Sequence, residues 1–418
     1  MPRTSPARPA LLRSLNDRTV LAVLLAQGPS SRADVVEATG LSKPTVAEVL
    51  TRLEDAGLIL DAGETVGRRG PNGRLYDLAI DHLRAAALTV EPGRLTCDIL
   101  DARGAVVASV ERSRGDLPRG AADATRALVA EAARAARVPL TSVGDVVISV
   151  PGSYDVVHDQ VRYADRLPDW TVPGIAGAIG TAFRHDVAVT LDNDVNLALV
   201  AERGAEPGTG VTSLLWLGAG VGLATDMAGT LYRGVSGGAG EVGYIPVPGT
   251  DARGGHPDFQ DLVGGAAVLR LARDHGIPGR SAAAVVERAV DAAGSAPATA
   301  EFLDELAGRV ALGLSVIVAV LDPGVVVLGG AVGRAGGPAL ASRTARALRS
   351  SSRLRCSVVP SSVDGDPALV GARRVSVEQL TERVLSAGNR ATTSAVADGA
   401  EATNPIPLPR TTKEVHAR

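Results

Sequence analysis

Four polar side chains, Asp192, Asn193, Asp194 and Asn196, crowd the stretch VTLDNDVNLALVAE, and carboxylates and amides at that density suit three kinds of chemistry. Calcium binding fails on spacing. The sixth position from Asp192 is Leu197 where a calcium loop needs glycine, and the twelfth is Arg203 where it needs glutamate. General-base catalysis is the second option, with one carboxylate on a cleft floor taking the proton of an attacking hydroxyl. Capping of a helix over 195–203 by Asp194 is the third, and it is compatible with the second. A separate run, Gly218-Ala219-Gly220-Val221-Gly222, offers backbone N–H groups that can hold phosphate, or simply the freedom a tight β-turn needs.

These residues depend on the elements that carry them. A strand over 187–191 delivers the Asp192–Asp194 cluster to the start of a helix. The glycine run lies between strands 211–217 and 221–227, with a turn at Ala228-Gly229. It is therefore a hairpin loop, whereas a dinucleotide fold needs a helix after its glycines. Alternation predicts further strands at 85–90 and 95–100, joined at Pro92-Gly93, and at 105–110, followed by an Ala-rich helix over 121–136. Strands follow at 145–150, 244–248 and 325–328, with helices dominating 262–321. Strand triplets interleaved with helices in each half predict two α/β lobes and a cleft between them.

The N-terminal part has a different pattern. In SRADVVEATGLSKPTVAEVLTRLEDAGLIL, Ser31 and Asp34 form a capping-box start and Gly40 sits at a left-handed helix end. A new cap follows at Ser42, with Pro44 in the first turn. Val46, Val49, Leu50 and Leu53 then bury one face of the second helix, leaving Lys43, Thr45, Glu48 and Arg52 outside. An upstream helix over 17–27 completes a three-helix core, and 63–78 reads as a wing bearing Arg68, Arg69 and Arg74. The second helix of the pair would enter the major groove of double-stranded DNA. An αα-hairpin used only for packing is the alternative.

Composition limits the rest. The chain has 418 residues and a formal net charge of −3, which predicts two or three domains and no uniformly basic surface. Basic residues instead cluster in an N-terminal arm (Arg3, Arg8, Arg13, Arg18) and in the wing. Lys43 and Lys413 are the chain's lysines, which excludes a Walker phosphate loop and a Schiff-base lysine in the body. Cys97 and Cys356 lie far apart without metal-ligand spacing, so they read as reduced thiols of a cytoplasmic protein. No signal peptide is evident, and the apolar run 310–321 is too short for a membrane span.

Taken together, these stretches resemble the family of bacterial repressors, open reading frames and sugar kinases, the ROK family, in its repressor form of the xylose-repressor and N-acetylglucosamine-repressor type. SRADVVEATGLSKPTV is similar to the family's DNA reader, and LPDWTVPGIAGAIGTAF and VTLDNDVNLALVAE to its sugar-site approach. LGAGVG, YRGVSGGAGEVG and DPGVVVLGGAV resemble its phosphate loop, sugar-contact segment and adenosine segment. The resemblance implies an α/β chain: a winged helix-turn-helix before a two-lobed, actin-like, hexokinase-type body with a ribonuclease H-like core. It also implies Asp194 as the catalytic base, active or vestigial. Asn193 and Glu241 would be sugar partners, and Gly218, Gly220 and Gly222 the phosphate-loop glycines.

Departures from the family pattern carry equal weight. The family's first phosphate loop, Asp-x-Gly-Gly-Thr, corresponds to Glu91-Pro92-Gly93-Arg94-Leu95, which places a bulky side chain at the phosphate and removes a hydroxyl donor. Ala219 replaces the usual threonine of the second loop. Both argue against ATP binding in the family's manner, although Arg94 could itself pair with a phosphate. Positions matching the family's structural zinc ligands are Tyr244, Asp251, Arg253 and Asp258, a set without thiolate, so no zinc is expected and Arg253 is expected to pair with Asp251 or Asp258. Tyr244 and Gln260 replace a histidine and a glutamate that contact sugar, altering hexose recognition.

The expected protein is a transcriptional regulator, a repressor of carbohydrate-metabolism genes, that senses a sugar or sugar phosphate and binds a palindromic operator as a homodimer. Its expected layout is a flexible basic arm (1–15), a winged helix-turn-helix (16–81), a kinase-like body (82–387) and a disordered tail (388–418). An active ATP-dependent sugar kinase with a fused DNA module is the alternative, favoured by Asp194 and Glu241 and opposed by Arg94, Leu95 and Ala219. A ligand-blind regulator whose body only dimerises is a third reading.

Overall fold

A computed structural model describes residues 7–64, 73–79, 83–203, 210–248 and 256–400. The chain divides into two compact units, Met1–Leu83 with Gln379–Arg418, and Arg84–Glu378.

In the first unit, α1 (Ala7–Gln27), α2 (Arg32–Thr39) and α3 (Lys43–Asp55) pack around Val20, Leu21, Leu24, Val35, Val46, Val49, Leu50 and Leu53, all buried. The local signals act as expected. Ser31 and Asp34 cap α2 reciprocally, and Gly40 ends it at φ +68°. Ser42 accepts the Thr45 N–H at the head of α3. A small antiparallel sheet of β1 (Ser30–Ser31), β3 (Arg74–Leu78) and β2 (Ile59–Glu64), in that order, supplies the wing. Helix α1 begins at Ala7 rather than near residue 17, so residues 7–15 are not the flexible arm expected. Ala, Leu and Arg are strong helix formers, and Pro9 falls in the first turn, where no helical N–H is needed.

The second unit is built on two five-stranded sheets of matching design. The first has the order β10 (Ala188–Asn193), β7 (Val143–Val150), β4 (Arg84–Val90), β5 (Arg94–Asp101), β6 (Val106–Ser113). In the second the order is β13 (Thr230–Leu231), β12 (Val221–Met227), β11 (Val211–Leu217), β14 (Val325–Gly329), β15 (Ser357–Pro360). Each combines an antiparallel meander of three strands with two parallel additions, the repeated pattern predicted for paired lobes. A short hairpin, β8 (Ser153–Asp155) with β9 (Gln160–Arg162), follows β7.

Helices α4 (Ala121–Ala135) and α5 (Ile175–Phe183) contribute to the first core with Leu88, Ile99, Ile148 and Trp170. The second core draws on α7 (Phe259–Val263), α8 (Gly265–Asp274), α9 (Ala282–Ala292), α10 (Pro297–Leu321) and α11 (Gly330–Ser351) around Phe259, Phe302 and Leu328. Between β10 and β11 lies α6 (Asp194–Glu202), and the chain continues into α12 (Pro367–Ala400). On α12, Leu369 and Ala372 pack against Ala87, Val147 and Leu197.

Two expectations need correction. No strand forms over residues 244–248, which make one isolated bridge, Pro246 to Asp258; Pro246 and Pro248 lack the N–H a ladder requires. The helical backbone of α12 passes the expected boundary at Gly388 and reaches Ala400, and residues from Gln379 onward group with the N-terminal unit instead of the body. That stretch contains no proline to stop it, and the prolines from Pro405 lie outside the described residues.

Candidate functional site

The N-terminal unit presents the first site. On α3, Lys43, Pro44, Glu48 and Thr51 are exposed and Thr45 is half-buried, so one face of the second helix of the helix-turn-helix is open. Thr51 was not singled out in the sequence; its hydroxyl donates to the Ala47 carbonyl at 3.1 Å and keeps acceptor capacity on the same face. Ser42 is used as the cap, its Oγ 2.8 Å from Thr45 Oγ1. Arg52 corrects the expectation. Its guanidinium turns inward onto Asp17, which is fully buried on α1, and also lies 3.6 Å from Glu48. That pairing raises the Arg52 pKa and makes the residue a bolt between α1 and α3. Arg74 is likewise paired, with Glu54 of α3 and Asp61 of β2, and its guanidinium lies 4.9 Å from the centre of the Tyr76 ring. Arg68 and Arg69 lie outside the described residues.

The second site is a cavity of about 590 Å³ in the body, walled by strand ends and loops of both sheets. It brings together every ligand residue drawn from the sequence: Asn193, Asp194, Glu241, Tyr244, Gln260 and the loop Gly218, Gly220 and Gly222. Their roles are redistributed.

Asn193, not Asp194, caps α6. Its Oδ1 accepts from the Val195 and Asn196 N–H groups at 2.8 and 3.1 Å, while Nδ2 donates to the Gly152 carbonyl and to Asp194 Oδ1. With both ends of its amide occupied, Asn193 positions Asp194 rather than offering itself to a sugar. Asp192 is committed as well, to Arg233 and to the Asn196 amide. Asp194 remains. Burial, reinforced by the neighbouring Asp366 and Glu241 carboxylates and opposed by the Val195 N–H, pushes its pKa up to about 7. A carboxyl poised there can hold or release a proton at neutral pH.

Glu241 is set by its glycine neighbour. Gly240 adopts φ +97°, and a Cβ there would collide with the Leu223 carbonyl, so this segment lies directly against β12. Ser153 donates to Glu241 at 2.8 Å, a cavity partner not seen in the sequence. Gln260 differs from expectation: Oε1 accepts the Val221 N–H at 2.8 Å and Nε2 donates to the Ala219 carbonyl at 3.0 Å. The side chain therefore staples the glycine hairpin at the cavity wall.

The former phosphate-loop region is poorly suited to phosphate. Glu91 lines the cavity, while Arg94, expected as a possible phosphate partner, pairs with Glu91 and lies 3.5 Å from Glu111. Of the positions matching the family's zinc ligands, Tyr244 is 59% exposed beside Tyr163, and Asp258 caps α7 in a capping box with Asp261. Asp251 and Arg253, and with them the expected ion pair, lie outside the described residues. No helix among the described residues is long and apolar enough to cross a membrane.

Comparison with known proteins agrees with this division. The profile of the ROK family matches residues 90–378, and that of the winged helix-turn-helix DNA-binding domain matches residues 13–59. An uncharacterised Sinorhizobium fredii protein, y4fQ, is 27% identical over 65% of this chain and 67% of its own. The Bacillus subtilis xylose repressor is 23% identical over 56% of this chain and 61% of its own, so the chain spans about three-fifths of that relative. Among solved structures, a ROK family transcriptional regulator, a homologue of the E. coli MLC protein, superposes with a TM-score of 0.65 at 18% identity, covering 93% of this chain and all of that one.

Proposed function

The chain belongs to the ROK family, and from that premise we propose that it is a DNA-binding transcriptional regulator, a cytoplasmic repressor of carbohydrate-metabolism genes, whose body senses a sugar. The carrying observation is the open face of α3, capped at Ser42 and presented by a winged unit ahead of a sugar-kinase-like body. Resemblance to the xylose repressor supports the same reading. A homodimer would set two reading helices about 34–36 Å apart, matching a palindromic operator.

Within the groove, Lys43, Thr45, Glu48 and Thr51 are the proposed contacts, and Arg68 and Arg69 are proposed for the backbone or minor groove. Arg52 and Arg74 leave that set because their charges are already paired. In the cavity, Asp194 and Glu241 accept sugar hydroxyls, and saturation shifts the balance between states that bind DNA well and poorly.

Selection of bound fragments from random duplex DNA, followed by titration with sugars, tests the proposal. A palindromic consensus released by one sugar is expected; no sequence preference above bulk DNA would overturn it. The kinase reading keeps one observation in its favour, an Asp194 carboxyl poised near neutrality. ATP turnover on a sugar panel, abolished by Asp194→Asn, would establish it.

A further inference from the structure

Aromatic side chains are scarce here: five tyrosines, three phenylalanines and two tryptophans in 418 residues. Phe183, Phe259, Phe302 and Trp170 are spent in the cores. Tyr163 and Tyr244 instead stand 57% and 59% exposed on the wall of the body cavity, ring centroids 5.9 Å apart and planes tilted by 48°. Two adjacent exposed rings on a cavity wall offer apolar faces against which a ring-shaped ligand can pack.

Tyr163 is also held at a conformational cost. Its φ is +58°, in the left-handed region that side-chain-bearing residues rarely adopt. The β8–β9 hairpin keeps it there: Ser153 pairs with Arg162, and Gly152 lies so close that a Cβ would collide with the Arg162 carbonyl and stand 3.1 Å from the Tyr163 carbonyl carbon. A strained, exposed residue fixed by its surroundings at a cavity wall points to function.

Charge narrows what this wall accepts. Asp165, Glu241 and Asp366 line the cavity against one basic side chain, Arg166, among the described residues, with Glu91 already paired to Arg94 and Asp194 part-protonated near neutral pH. Phosphate would meet repulsion there, whereas neutral hydroxyls find acceptors.

We propose that Tyr163 and Tyr244 form an outer subsite that stacks the second ring of an uncharged disaccharide, with the first ring seated at Asp194 and Glu241. The inference rests on the sugar-sensing reading above and sharpens it, replacing a monosaccharide or sugar phosphate as the effector. Burying the apolar C–H face of a sugar ring against an aromatic face is expected to give about a tenfold gain in affinity.

Isothermal titration of the full chain with glucose, galactose, xylose, glucose 6-phosphate, cellobiose, lactose, maltose and xylobiose tests it. One disaccharide is expected to bind about tenfold tighter than its own monosaccharide, with no saturable binding of glucose 6-phosphate. Tyr163→Ala should remove that advantage and leave monosaccharide affinity unchanged, and Tyr163→Phe, which keeps the ring, should bind like the parent. If Tyr163→Ala fails to fold, Tyr163→Asn, which also removes the ring and which the left-handed backbone at φ +58° tolerates, serves the same comparison. Equal affinity for a disaccharide and its monosaccharide, or an equal loss of both in Tyr163→Ala, overturns the outer subsite and leaves sugar sensing standing. Absence of binding by every sugar overturns both.

Discussion

At the scale of single residues, two carboxylates lead to separate predictions. Asp194 has a folded-state pKa near 7, above the ordinary carboxylate value of 3.8, so between those limits the folded protein keeps a proton that the unfolded chain has released. Its contribution to stability is complete below about pH 4 and is lost as the pH rises through 7. Asp194→Asn should therefore flatten the pH dependence of the urea midpoint between pH 5 and 8 and raise stability most at the alkaline end; parallel curves for variant and parent would refute the assignment. Asp17 is a fully buried side chain paired with Arg52. Arg52→Ala breaks this buried pair and should destabilise the N-terminal unit by about 3 kcal/mol, read by denaturant unfolding. If Arg52 were a free base-reading side chain, the same change would instead weaken operator binding and leave stability intact.

At the scale of elements, the caps are the parts most directly tied to sequence. Ser42→Ala removes the acceptor for the Thr45 N–H, and a loss of about 1 kcal/mol is expected in the unfolding of the N-terminal unit, with the body's transition unmoved. Such features were legible in the sequence because they are local: the Ser31–Asp34 capping box, the left-handed Gly40, and the hairpin that joins Leu217 to Val221 each depend on residues a few positions apart. The repeated sheet pattern was legible for the same reason, since alternation marks each strand separately. What could not be read depends on partners distant in the chain. Gln260 looks like a sugar contact until β12 places the Val221 N–H against it, 39 positions away. Arg52 reads as exposed on a helical wheel, yet Asp17 lies 35 positions upstream. Asp366, Asp165 and Tyr163 join the cavity through folding alone, with no motif around them. Residues 244–248 failed for a local reason that was available, two prolines inside an apparent strand.

At the scale of the whole molecule, regulation requires that the sugar site and the DNA reader share an equilibrium, because a ligand shifts a population only by its differential affinity for the two states. One continuous element belongs to both units. Helix α12 begins at Pro367, where Asp366 and Ala368 line the cavity, and from Gln379 onward its residues group with the N-terminal unit, where Glu382 pairs with Arg18 of α1 at 2.6 Å. The exposed ion pair lies within the N-terminal unit and itself contributes little, whereas α12 is continuous backbone carrying residues of both units. A proline in a helix interior removes a hydrogen bond and clashes with the preceding turn, costing about 3 kcal/mol locally. Gln379→Pro is therefore expected to spare operator binding measured without sugar and sugar binding measured without DNA, while reducing the release of DNA by saturating sugar from about tenfold to nearly none. Linkage supplies an independent check, since bound operator must weaken sugar affinity in the parent by the same factor and must cease to do so in the variant. Undiminished release in a folded Gln379→Pro protein would mean that the two sites communicate by a route other than α12.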